Sequence, residues 1–583
     1  MKKNAIWMTG LLILTIFSAC FGDTQPNPEH SEKIFNWVTS SADNCINPHD
    51  SFLMANGEIV DLIVTPLYGW RPSACRQKAE IVPRMALSEP RSDDGYVWII
   101  NINPDARWSN GEVINAHTFI YSWKMGLDPL LAYPNHGAAI AGGRVEILNA
   151  EDYFAQNLPD RDFVDWDDVG MKAINDMTLK ITTTRKYTPF DIMLHFAHRA
   201  TAPVYEPLYE AGKNAARTST LYGTSLEYFM GNGPFMLTSW TPGSERIFVR
   251  NENYLFAHEI KLDGIYGRVA ADEITRIELF QNNQSDYIEL GVSGRLRFEE
   301  DPRLISFNRQ AIRTIEFNRD NPEKPILADP TFRRALYFAT DRAQIANLIN
   351  ATPAPFFLST VGIAFGDGTA YRDIYEANDW LPPNYGFDPD YARILMAEVL
   401  QKYNLEQINI TLAYGEDTPG IRIASELIQS QWEQIFGRDT LTLTLRALQH
   451  SAVLQLMSSS VQTPNTNWDL GWSGLMLRAE TFSPYIKFRN YQSTWPGRYA
   501  NYSNELLNEL FPLFTDDNYR LNEQKLFELT RELEKHFVLE DVTAIPVYLE
   551  RASVMFSSRV QLPLDVQSSI ISFGWEFGDI LID

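Results

Sequence analysis

Between Tyr96 and Pro129 the spacing of apolar residues changes period once. Trp98, Ile100 and Ile102 alternate onto one face, which predicts a strand over 96–103 with that face buried. Asn110-Gly111 reads as a tight turn, because glycine accepts positive φ and asparagine tolerates it. Asn115 stands where a helix N-cap belongs, and Phe119, Ile120, Trp123 and Leu127 form one apolar stripe after it. Asp128-Pro129 ends that helix, since the residue before a proline is pushed out of the α region. The unit is strand, turn, capped helix, stop.

The same patterns recur along the chain. Strands are predicted at 33–38, 408–414 and 441–448, and helices over 54–68 and 420–432. Asn175-Asp176 and Pro242-Gly243 each turn one short strand into the next. Asp329 caps a helix that has Pro330 in its first turn and Phe332, Ala335, Leu336 and Ala339 on one face. Asp341 and Arg342, just beyond, have the form of a catalytic pair but read as structural, pinning that helix to its surroundings.

A chain of 583 residues can bury a large core and divides into several domains. Its net charge of -24 repels nucleic acid and excludes that partner. The 14 Trp, 26 Tyr and 33 Phe suit a ligand cleft, although any single ring is read first as core. Lys2 and Lys3 precede an apolar run, Ala5 to Phe17, that is short for a bilayer span and has the form of a secretory signal. Phe17-Ser18-Ala19-Cys20 resembles a lipoprotein box, with Phe17 where a smaller aliphatic residue is usual, so Cys20 is the expected lipidation site. The polar stretch after it suits a tether. Cys45 and Cys75 remain, either as a disulfide in an oxidising compartment or as two separate buried thiols. No C-x-x-C or H-E-x-x-H spacing predicts a metal, and no cofactor is expected.

Three stretches carry a family resemblance: WSNGEVINAHTFIYSWKMGLDP from Trp108, GNGPFMLTSWTPGSERIFVRNENY from Gly231, and FNRDNPEKPILADPTFRRALYFATDR from Phe317. In this order, with Ala544–Tyr548 as the returning segment, they resemble the extracellular solute-binding proteins of family 5, which serve peptide ABC importers. The resemblance implies an α/β fold of the periplasmic-binding-protein type, class II, with two lobes of mixed sheets, an extra subdomain on the first and hinge closure. It implies a signal peptide at 1–19 and a lipid tether at 20–32. Residues 33–69, 186–300 and 546–583 would form the first lobe, 70–185 its subdomain, and 301–545 the second lobe. The ligand would be an extended peptide added as a strand, delivered by a monomeric protein to a permease and its ATPase subunits at the membrane.

By the same resemblance the peptide lies between a loop holding Phe52 and Met54, after Asn47-Pro48-His49, and the segment Gly474 to Met476, with Asn318 and Tyr548 also at the site. The family's amine-capturing aspartate falls at Arg478, a cation that repels an ammonium. Either Glu480 takes that role, or Arg478 reads a carboxylate or other anion, or the true register lies two residues away. The alternatives are the same scaffold with a metal chelate, haem or oligosaccharide as cargo, and an extracellular glycoside hydrolase. For the hydrolase, a carboxylate pair can always be found among 74 acidic residues and says nothing. No G-x-S-x-G and no G-x-x-x-x-G-K-[ST] is present.

Overall fold

The computed structural model describes residues 33–40, 45–50, 54–73, 78–133, 140, 145–358, 371–457, 467–475, 488, 491, 505–562 and 578–581. Strand β1 (Ile34–Thr39) begins the first lobe, and β2 (Tyr68–Ser73) pairs with β3 (Lys78–Pro83) as a hairpin. Strands β4 (Val97–Asn101), β5 (Met171–Asn175) and β6 (Thr178–Thr182) make a three-stranded antiparallel sheet. The hairpin β7 (Phe235–Thr241) and β8 (Glu245–Arg250) leads to β9 (Gly264–Val269) and β10 (Tyr287–Leu290). The long β11 (Leu304–Phe317) enters the second lobe, which adds β12 (Thr352–Pro353), β13 (Ile408–Gly415), β14 (Leu441–Leu448) and β15 (Leu470–Leu475). The equally long β16 (Ala544–Phe556) returns, and β17 (Val560–Gln561) pairs with β18 (Asp579–Ile580).

The local signals produce the elements expected of them. Asn115 caps helix Ala116–Gly126: its side chain accepts from Thr118 N at 3.1 Å, and Thr118 Oγ1 accepts from Asn115 N at 3.3 Å. Phe119 and Trp123 are buried, and Trp123 Nε1 donates to Thr201 O at 2.9 Å. Trp98 and Ile100 bury one face of β4. Asp329 caps helix Pro330–Phe338, with Phe332, Ala335 and Leu336 buried. Helix Met54–Ile63, by contrast, ends well before the expected residue 68. Pro66 holds Thr65 out of the α region, Asn232 clamps Thr65 through both its N–H and its carbonyl at 2.9 Å, and Tyr68 already belongs to β2.

One mixed sheet runs through the molecule in the order β14-β13-β15-β11-β16-β10-β1-β9-β8-β7, with β12 added against β16. It is buried in two separate cores, which define the two lobes. Phe35, Trp98, Phe119, Ile265 and Val554 belong to the first core, and Phe332, Trp432, Trp472 and Phe537 to the second. The subdomain's β4 and helix Ala116–Gly126 share the first core.

Among the described residues only β11 and β16 serve both cores: Phe307, Ala552 and Val554 face the first, while Ile315, Phe317, Ile545 and Val547 face the second. Between them Ile312, Leu549, Ala354 and Phe356 form a small cluster of their own. Here the register slips. Asn308 lies opposite Arg551 and Ile312 opposite Leu549, so residues 309–311 face Glu550 alone. A bulge of this kind bends the strand and raises its twist. The expected lobe boundaries at 300/301 and 545/546 fall just before β11 and inside β16.

Asp341 and Arg342 have structural positions. Asp341 caps helix Arg342–Ile349, while Arg342 is buried over the Tyr337 ring and donates through Nε to Pro546 O at 2.7 Å.

Candidate ligand cleft

The two-strand crossing determines which ends of the sheet meet. In the first lobe β1 runs parallel to β9 and β10, and Leu290 at the end of β10 lies opposite Ser553, close to the bulge. In the second lobe β13 runs parallel to β14 and β15, and Leu475 at the end of β15 lies opposite Ile312. Both lobes therefore turn the carboxyl ends of parallel strands toward the crossing. In open α/β sheets that is where ligands bind, because the following loops and helix N-termini converge there.

The first-lobe rim is the loop after β1. Asn47 and His49 are buried: Asn47 Oδ1 accepts from His49 N at 3.0 Å, and His49 Nδ1 meets the Tyr209 hydroxyl at 3.4 Å. Gly223, at φ +78°, accepts from Ile46 N at 2.9 Å and lies so close that a Cβ on it would fall 2.3 Å from Asn47 N. The loop is thus fixed by its buried polar residues. Cys45 is a free thiol that donates to Asp50 at 3.8 Å, and burial pushes its pKa up to about 11. Its expected partner Cys75 lies outside the described residues.

The second-lobe rim centres on Arg313. Its strand neighbours are Gly474 on β15 and Tyr548 on β16, so all three lie on one face. A Cβ on Gly474 would fall 2.6 Å from Arg313 Nη1; the glycine makes room for the guanidinium. Arg313 Nε donates to Glu550 Oε1 at 2.5 Å, and on the other side of the crossing Arg309 pairs with Glu289. The Tyr548 ring is buried against Trp472 at 6.0 Å, and burial raises its pKa. His450 opens helix His450–Met457 beside them; burial, then the Arg313 charge, hold its pKa below the ordinary imidazole value.

Of the expected site residues, Gly474 and Tyr548 come together here. Met54 begins the helix that follows the first-lobe loop. Asn318 lies apart from this corner. It lies five residues on from Arg313, just past the end of β11 and about 16 Å away at strand rise, with its Nδ2 donating to Trp468 O at 2.8 Å. It closes the far end of the β11–β15 pair. Phe52, Met476, Arg478, Glu480 and Cys20 lie outside the described residues. Arg313, Glu550 and His450 carry no sequence motif; the pairing of β11 with β16 brings the first two together and helix His450–Met457 brings the third. Among the described residues, no group of His, Cys, Asp and Glu is arranged to hold a metal ion, and no helix is long and apolar enough to cross a membrane.

Two lobes, a double crossing and strand ends meeting over it define a hinged solute-binding protein. The chain belongs to the bacterial extracellular solute-binding proteins, family 5, whose pattern it matches over residues 80–497. It is 25% identical to a dipeptide-binding protein of Lactococcus lactis over 471 residues, 76% of this chain and 79% of that one. It is also 25% identical to the oligopeptide-binding protein OppA of Bacillus subtilis, over 75% of this chain and 77% of that one. The fold is shared with Listeria monocytogenes OppA bound to peptide, at a TM-score of 0.70 and 21% identity, covering 95% of this chain and all of that one.

Proposed function

We propose that this protein captures extended peptides between its lobes and hands them to a membrane permease driven by ATPase subunits. One observation carries the peptide reading furthest. Strand β15 pairs with β13 only at Leu470 and Gly471, so from Trp472 to Leu475 its edge away from β11 has no strand partner among the described residues. An open strand edge at the cleft offers N–H and C=O groups to an added strand, which reads main chain and tolerates varied side chains. Relatives named for dipeptide and oligopeptide binding support the same cargo. The protein consumes nothing, acts as a monomer, and works outside the cytoplasm, tethered by lipid on Cys20.

Small-angle scattering during titration with mixed short peptides tests the closure. The particle becomes more compact and the peptides are recovered intact; cleavage of a peptide or glycan would support an enzyme instead. For the tether, Cys20→Ala shifts the protein from the membrane to the soluble fraction, and an unchanged membrane share would sink the lipid assignment.

A further inference from the structure

The lobes also meet away from the crossing, where the Arg520 guanidinium lies 4.5 Å from the centre of the Tyr187 ring. Arg520 ends the short helix Asp517–Arg520 of the second lobe, whose Tyr519 packs on the second core. Tyr187 belongs to the first core. Its N–H donates to Gly95 O at 3.0 Å and its hydroxyl accepts from Glu146 N at 2.9 Å, which ties it to the subdomain. The stretch leading to Glu146 starts at the first-lobe rim: a Cβ on Gly126 would fall 2.6 Å from Ile140 Cδ1 and 3.3 Å from His49 Nε2. Ile140 stands six residues before Glu146, a span of about 22 Å at most, so Tyr187 is on the rim side of the first lobe.

Arg520 is laid on that ring at some cost. Its Nη2 donates to Asp517 Oδ1 at 2.8 Å, while Nε and Nη1 are buried without a partner. The Arg520 side chain is 14% exposed and Tyr187 is 7% exposed. Burial pushes the Tyr187 pKa up to about 12, so the ring is neutral and the contact is a cation on a π face. The gain from the ring is opposed by the two stranded donors, which return to water when the lobes part. Such a contact is easily made and broken. Two adjacent crossing strands leave the lobes a hinge, and a contact off the hinge line is made at one opening angle. We propose that Arg520 and Tyr187 form a clasp that holds the lobes closed and retains the cargo without touching it. The inference rests on the peptide reading above and adds to it a residence time lengthened equally for every peptide.

Stopped-flow dissociation from the full-length protein tests the clasp with a panel of alanine-, lysine- and glutamate-containing tri- and pentapeptides. Arg520→Ala speeds dissociation about five- to thirtyfold, the range of a partly to fully desolvated cation–π contact. The factor is the same for every peptide that binds. Association changes little, because the clasp forms only as the lobes close. Tyr187→Leu keeps a buried apolar side chain and has the same effect, and the double variant is no faster than either single one. Tyr187→Phe keeps the aromatic face and with it the slow dissociation. Circular dichroism confirms that each variant is folded. An unchanged or slower rate in Arg520→Ala overturns the inference, as do additive effects in the double variant. Factors that differ between peptides overturn it too, because Arg520 would then be a cargo contact. If the wild type binds no peptide of the panel, the peptide reading falls by itself. The clasp is then read by small-angle scattering of the protein alone, where Arg520→Ala raises the radius of gyration and an unchanged radius overturns it.

Discussion

Glu534→Ala unfolds the second lobe at a lower temperature than the wild type and leaves the first lobe's transition in place. Glu534 is fully buried, and its Oε1 accepts from Phe357 N at 3.0 Å, from Leu358 N at 2.7 Å, and from Arg372 Nη2. Arg372, itself buried, gives its other donors to Leu358 O at 2.9 Å and Ala377 O at 2.6 Å. Removing the carboxylate strands a buried cation and two backbone N–H groups, a loss of about 3–5 kcal/mol. The segment this pair holds runs directly from Ala354 and Phe356, which pack on Ile312 and Leu549 at the crossing. The loss therefore reaches the hinge side of the lobe. Separate cores make separate transitions the expected behaviour, and calorimetry resolves them. A single transition at the wild-type temperature would show that the pair contributes nothing to the lobe.

The second large effect is on affinity. A peptide strand lying on the open edge of β15 leads past Leu475 into the sequence Met476-Leu477-Arg478-Ala479-Glu480. An ammonium beside an unopposed guanidinium is costly to bury, so in this reading Glu480 is the amine's partner and Arg478 its opponent. Loss of one member of a buried charge pair costs about 3–5 kcal/mol, a few hundred-fold or more in affinity. Glu480→Ala thus abolishes measurable binding of peptides with free amino ends, and Arg478→Asp strengthens it. The reverse pattern, with Arg478→Asp fatal and Glu480→Ala silent, would mean that the position reads an anion.

What could be read in the sequence was local. Asn115 with its stripe at Phe119 and Trp123, Asp329-Pro330, and the Pro242-Gly243 turn each carry their instruction within a few residues, and each formed as expected. The end of helix Met54–Ile63 is also written locally, in Pro66, although the apolar run continues past it. Strand β11 was hidden because the bulge at 309–311 breaks its alternation. In β16 the signal is local: Glu550 and Arg551 interrupt an otherwise buried strand, at the point where it leaves one core for the other. The cleft corner could not be read in this way. Arg313, Gly474 and Tyr548 are far apart in sequence and meet only through the pairing of β11 with β15 and β16, while His450 arrives on a separate helix. Asn318, expected at the site by resemblance alone, is near Arg313 in sequence but lies past the far end of β11.

Native mass spectrometry of the protein purified from its expression host, followed by release and fragmentation of whatever it retains, bears most directly on peptide capture. A closed two-lobed protein keeps its cargo through purification, so the expected spectrum shows the chain carrying one added mass per molecule, resolving into short peptides of varied sequence. A retained sterol, saccharide, haem or metal chelate in their place, with no peptide displacing it on titration, would contradict the proposal.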